Sequence, residues 1–76
     1  MNDLTPEDLK RIRIELGLSQ SEMAQVMEAK GAQIISNWER GVRNPDPMKR
    51  KIYKLFDSMP AENKTELMEL LLKESA

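Results

Sequence analysis

GAQIISNWERGVRNP, residues 31–45, is the stretch on which the reading of this chain turns. Two adjacent isoleucines sit among small polar residues, a tryptophan follows at position 38, and a basic loop punctuated by Gly41 and Pro45 comes next. At about 100° per residue, the spacing predicts a helix over 32–40 with two unlike sides. Ile34, Ile35 and Trp38 fall on one arc and must pack on neighbouring helices, since a tryptophan needs cover. Ala32, Gln33, Ser36, Asn37 and Arg40 fall on another. A merely solvated face is ordinarily Glu, Lys and Arg, whereas this one is short, flat and rich in paired donors and acceptors. Gln and Asn can bond bidentately to adenine N6 and N7, Arg can do so to guanine, and Ala or a hydroxyl lets a base edge come close. The lone acid, Glu39, falls on the flank of this face. The pattern therefore points to a helix that reads the major groove.

Outward from this stretch, start and stop signals divide the chain into five short helices. Thr5-Pro6-Glu7-Asp8 supplies a cap, a proline for the first turn and acids beside the helix N-terminus, and Gly17 ends that helix. Ser19 and Glu22 form a capping box for the second. Met23, Ala24, Val26 and Met27 give that second helix an apolar side. Gly41 stops the third helix, and Asp46-Pro47 opens a fourth, which is expected to bury Ile52, Leu55 and Phe56. Ser58-Met59-Pro60 breaks it before a fifth. No useful stretch of β-alternation occurs, so the fold class expected is all-α.

Composition narrows the function classes. Seventy-six residues make one domain with a modest core. With neither cysteine nor histidine there is no disulfide, no thiolate or imidazole metal site and no usual nucleophile–base pair. The expectation is a protein that is not an enzyme and takes no cofactor or metal. No apolar run approaches the roughly 20 residues of a membrane span, and the polar N-terminus is unlike a signal peptide, so a cytoplasmic protein is expected. Net charge is −1, yet residues 30–54 hold seven bases against two acids, while residues 58–76 hold two lysines against four glutamates. That polarity suits a nucleic-acid partner better than the sum does.

Residues 18–45 carry an ordered set of matches: Leu18, Ser19, Gln20, Met23, Ala24 and Met27, then Ile35, Ser36, Trp38, Glu39, Gly41, Arg43 and Pro45. On these the chain resembles the Cro/lambda-repressor-like helix-turn-helix domain, the XRE family. With Leu9, Ile12, Arg13, Leu16 and Gly17 before them and the fourth helix after, the similarity spans residues 5–57. The resemblance implies a five-helix lambda-repressor-like fold, its helix-turn-helix made by helices 2 and 3, over a DNA-binding domain at 1–57. It implies that Ala32, Gln33, Ser36 and Asn37 face bases. Gln20, Arg13, Lys30, Arg40, Arg43 and Asn44 are then the contacts to the DNA backbone. One departure stands out. Glu28-Ala29-Lys30-Gly31 is one residue longer than the family turn and lacks its usual glycine, so either helix 2 is longer or the turn bulges. Ile34, often polar in the family, lies on the border of the two arcs.

Residues 58–76 form a C-terminal segment in which Glu66-Leu67-Met68-Glu69-Leu70-Leu71-Leu72 is mostly apolar. If Leu67, Leu70 and Leu71 face the domain, a surplus remains. Closure of the core by this helix is one reading. Dimerisation through Leu67, Met68, Leu71 and Leu72 is the other, as the resemblance implies, and it suits a palindromic double-stranded operator. The function expected is a sequence-specific transcriptional regulator, a repressor of phage or mobile-element type acting as a homodimer. The alternative is an antirepressor or antitoxin-like module on the same fold that grips a protein partner.

Overall fold

Three helices begin on a side chain that satisfies backbone N–H groups at the helix start. Thr5 Oγ1 accepts from Asp8 N at 3.1 Å, while Thr5 N donates to Asp8 Oδ2 at 3.0 Å. Ser19 and Glu22 make the same reciprocal pair at 3.1 and 2.9 Å, and Asp46 Oδ1 accepts from Lys49 N at 2.9 Å. The helices they open are α1 (Pro6–Glu15), α2 (Gln20–Val26) and α4 (Pro47–Ser58). Between and after these lie α3 (Ala32–Glu39) and α5 (Ala61–Ser75). This computed structural model describes residues 4–75, so the outermost ends of the expected divisions 1–57 and 58–76 fall outside the described residues. The architecture is all-α, with α2 packed on α3, α1 against both α3 and α4, and α5 laid on α2.

The first three helices end in one and the same way. After α1, Gly17 adopts φ +76°, its N–H reaches Ile14 O and the N–H of Leu18 reaches back to Arg13 O. After α3, Gly41 adopts φ +77°, with Gly41 N on Trp38 O and Val42 N on Asn37 O. These are Schellman closures, in which a left-handed residue lets two N–H groups satisfy the last carbonyls. The end of α2 repeats them with a different residue: Glu28 takes φ +56°, Glu28 N bonds Gln25 O, and Ala29 N bonds Ala24 O at 2.8 Å. Helix 2 is therefore not lengthened. Glu28 occupies the left-handed position itself, and the extra residue is taken up between Ala29 and the extended Gly31 before α3.

The core gathers where α1, α2 and α3 meet. Met23, Ala24, Met27, Ile35 and Trp38 are buried, and Ile12, Leu9 and Leu16 close over them from α1. Two expectations require correction here. On α4 the buried residues are Tyr53 and Phe56; Ile52 is half-buried and Leu55 is 62% exposed. Tyr53 is drawn in by Trp38, whose ring it meets edge-on at 6.2 Å between centroids. Leu55 stands about 160° further round the helix and so must face out. On α5, Met68 is 3% exposed and Leu70 is 56% exposed, the reverse of the expected assignment. Met68 points at the core between half-buried Leu67, Leu71 and Leu72, and Leu70 lies on the far side of the helix. Met68 is thus a residue of the chain's own core and not a free dimerisation contact. No helix among the described residues is long and apolar enough to cross a membrane.

Candidate nucleic-acid interface

Helix α3 is held by a polar junction set into its inner edge. Arg13 on α1 donates from Nε to Glu39 Oε2 at 2.6 Å and from Nη2 to Glu39 Oε1 at 3.2 Å. Its third nitrogen, Nη1, donates to Leu18 O at 2.8 Å, at the entry to α2. Gln20, the first residue of α2, donates from Nε2 to the same Glu39 Oε1 at 3.1 Å. The side chains of Arg13 and Glu39 are only 12% and 4% exposed. A charge so enclosed is tolerable only when paired and hydrogen-bonded, and here both conditions hold. One carboxylate at the end of α3 thereby ties together α1, the α1–α2 loop and the first residue of α2.

Two consequences reach the site. Arg13 faces inward, which corrects the expectation that it contacts a DNA backbone: its guanidinium is enclosed with Glu39 and the Leu18 carbonyl. Glu39, placed on the flank by its helical angle alone, is turned in as well, and no carboxylate of α3 lies on its outer face. Sequence reasoning missed this residue as a structural hub. The available signal was a single acid on an otherwise acid-free helix, with an arginine at the matching edge of α1. Gln20 is half-buried, and because Glu39 can only accept, the Gln20 atom facing it is the amide nitrogen.

The outer face of α3 is a linked row. Gln33 Nε2 donates to Asn37 Oδ1 at 3.0 Å, and Arg40 Nη2 donates to the same oxygen at 2.9 Å. Gln33 and Arg40 are exposed, while Ala32, Ser36 and Asn37 are half-buried between them and the core. Asn37 also ties this row to the loop, since its backbone carbonyl accepts from Val42 N at 3.0 Å and Arg43 N at 3.3 Å. Arg43 and Asn44, both exposed, line a depression of about 450 Å³ together with Ile34, Asn37 and Trp38. Ile34 therefore belongs to both arcs, packed against the core on one side and walling this hollow on the other. Lys30 stands exposed in the turn before α3. The structure thus brings Gln33, Ser36, Asn37, Arg40, Arg43 and Asn44 to one side of the molecule and withholds Arg13.

Beneath the site, Tyr53 is fully buried, and among the described residues its hydroxyl has no hydrogen-bond partner. Burial pushes this phenol above the ordinary tyrosine range, and the nearby charge of Glu39 adds to the effect. No group of three or more acidic, histidine or cysteine side chains among the described residues could hold a metal ion.

Residues 9–49, more than half of the chain, match the family described as Helix-turn-helix. The matched span runs from inside α1 to the first turn of α4 and so contains the Arg13–Glu39 junction and the whole outer row of α3. No curated protein and no solved structure matches the chain.

Proposed function

We propose, from the premise that this chain belongs to the Cro/lambda-repressor-like helix-turn-helix family and is a DNA-binding transcription regulator of the XRE type, that it acts as a repressor of phage or mobile-element kind. It lays α3 in the major groove of a palindromic operator. Ala32, Gln33, Ser36 and Asn37 face base edges, and Gln20, Lys30, Arg40, Arg43 and Asn44 contact the backbone. Residues 1–57 form the DNA-binding unit. Residues 58–76 assist homodimerisation through the outer edges of Leu67, Leu71 and Leu72, beside exposed Leu70.

The observation that carries this reading is the inward turn of Glu39. A carboxylate turned to the groove is repelled by the phosphates and finds a donor partner only at cytosine N4, and the single acid of α3 is instead enclosed against Arg13. The test is selection from random duplex DNA at two salt concentrations. The expected result is a two-fold symmetric consensus. Affinity should fall roughly a thousandfold or more between about 50 and 200 mM salt, as release of several counterions requires. No enriched duplex at low salt would sink the reading.

A protein-binding role on the same fold is favoured by one feature only. Met48 and Leu55 are each 62% exposed on α4, and Leu55 lines a shallow hollow of about 400 Å³ with Lys51, Lys54 and Ser58. A partner seated there would show binding little affected by salt.

A further inference from the structure

The row Gln33–Asn37–Arg40 fixes more than position, because its hydrogen bonds decide which atoms remain to meet a base. A guanidinium only donates, so the Asn37 atom facing Arg40 Nη2 at 2.9 Å must be the carbonyl oxygen. The Gln33 atom lying 3.0 Å from that same oxygen must then be the amide nitrogen. Neither amide can flip without facing donor to donor or acceptor to acceptor.

With two donors on Asn37 Oδ1, both lone pairs of that oxygen are engaged. What Asn37 can present outward is its Nδ2 group, which only donates. Bidentate recognition of adenine needs an acceptor for N6–H and a donor for N7 from the same amide, so Asn37 held in this way cannot make it. Gln33 is left in the opposite condition. One Nε2 hydrogen goes to Asn37, while the other hydrogen and the whole of Oε1 stay open, which is the complement of adenine.

We propose, resting on the reading of α3 as the groove helix, that Arg40 is a specificity-determining positioning residue. It holds Asn37 as a donor-only reader of an acceptor edge, guanine N7 and O6 or thymine O4, beside an adenine read by Gln33. Arg40 acts through Asn37 and not by touching the base. Its exposed side chain makes it replaceable without disturbing the core.

The experiment is selection from random duplex DNA with the full chain and two variants, each first checked for an unchanged helical melting transition. The unaltered chain should select adenine at the Gln33 position and guanine or thymine at the Asn37 position. Arg40→Met keeps the aliphatic stem and removes the donors, which frees one lone pair of Asn37 Oδ1 to accept from adenine N6–H while Gln33 keeps the other. The base preferred at the Asn37 position should then move toward adenine by about tenfold, the scale of one good bidentate pair. Asn37→Asp keeps the acceptor for Gln33 and Arg40 but has no donor, and should exchange the acceptor base for cytosine, whose N4 donates. If Arg40→Met weakens binding to all sequences alike with the consensus unchanged, Arg40 is only a backbone contact and the proposal falls while the groove reading stands. Retention of guanine or thymine by Asn37→Asp overturns it equally. If the unaltered chain enriches no duplex, both readings fall together.

Discussion

Arg11 and Arg13 leave α1 two residues apart and so point to different sides of it, and each makes a two-toothed bond to a carboxylate far along the chain. Arg13 meets Glu39 in a corner where the two side chains are 12% and 4% exposed. Arg11 meets Asp57 through Nη1 at 3.0 Å and Nη2 at 3.2 Å, with side chains 43% and 35% exposed, and shares itself with Glu15 and Asp8. The first corner joins α1, α2 and α3; the second fastens α1 to the end of α4, while Lys64 of α5 lies 3.9 Å from Glu15. The same chemistry thus serves two purposes. In water an ion pair is weak and replaceable, so the second corner is a tether that adds little to stability. In the enclosed corner each charge depends on its partner, and the pair holds the end of α3 against α1 and the start of α2.

The sharpest way to break this contrast is to remove one partner from each corner. Arg13→Met should lower stability by about 3 kcal/mol in urea unfolding, because the Glu39 carboxylate stays enclosed with only Gln20 to meet it. Adding Glu39→Leu should recover much of the loss, since the lone buried charge goes with it. If Arg13→Met and Arg11→Met cost the same small amount, burial does not distinguish the two corners. Next in size comes a gain. Glu28 holds a left-handed conformation in the turn between α2 and α3, and Glu28→Gly should raise stability by about 1 kcal/mol by relieving it. A loss instead would mean that the Glu28 side chain supports the turn in a way its backbone does not reveal.

Smaller still is the effect of Asp57→Asn, which should show in acid. The hydrogen bonds from Arg11 hold the Asp57 carboxyl below the ordinary aspartate range. In the unfolded chain that carboxyl takes up its proton near pH 4, before the folded chain does. The tether's contribution is therefore complete above that pH and is lost as pH falls through the lowered folded value. Melting of Asp57→Asn against the unaltered chain should differ at neutral pH and converge in acid. Least of all, at neutral pH, is Tyr53→Phe: the hydroxyl it removes has no bond in the core, so stability should hold or rise slightly. At alkaline pH the two should separate. The unfolded tyrosine ionises near pH 10 and the buried one only higher, so the unaltered chain loses stability above about pH 10 and the variant does not.

The contrast between corners also explains what was legible in the sequence. Helix ends are local chemistry, and Thr5-Pro6, Gly17, Ser19–Glu22, Gly41 and Asp46-Pro47 each lie within a turn of the boundary they set. The outer face of α3 was legible for a similar reason, since its residues share one helix. Glu39 was not, because its burial depends on Arg13, 26 residues earlier, and a helical angle alone could only place it on a flank. Met68 was misjudged on another ground. With five apolar residues in the seven from Glu66 to Leu72, the helix offers several faces of similar apolarity. Which one turns inward is decided by α2 on the other side, and nothing in the segment itself records that.

Asn37 gathers four donors on two oxygens: Gln33 and Arg40 on its side chain, Val42 and Arg43 on its carbonyl. The amide protons of Val42 and Arg43 are thus fastened to the residue that carries the outer row. When the last turn of α3 frays, these protons meet solvent at the moment the row loses its anchor. Their exchange with deuterium, followed by NMR on the isolated chain, would clock how often the outer row of α3 comes apart on its own.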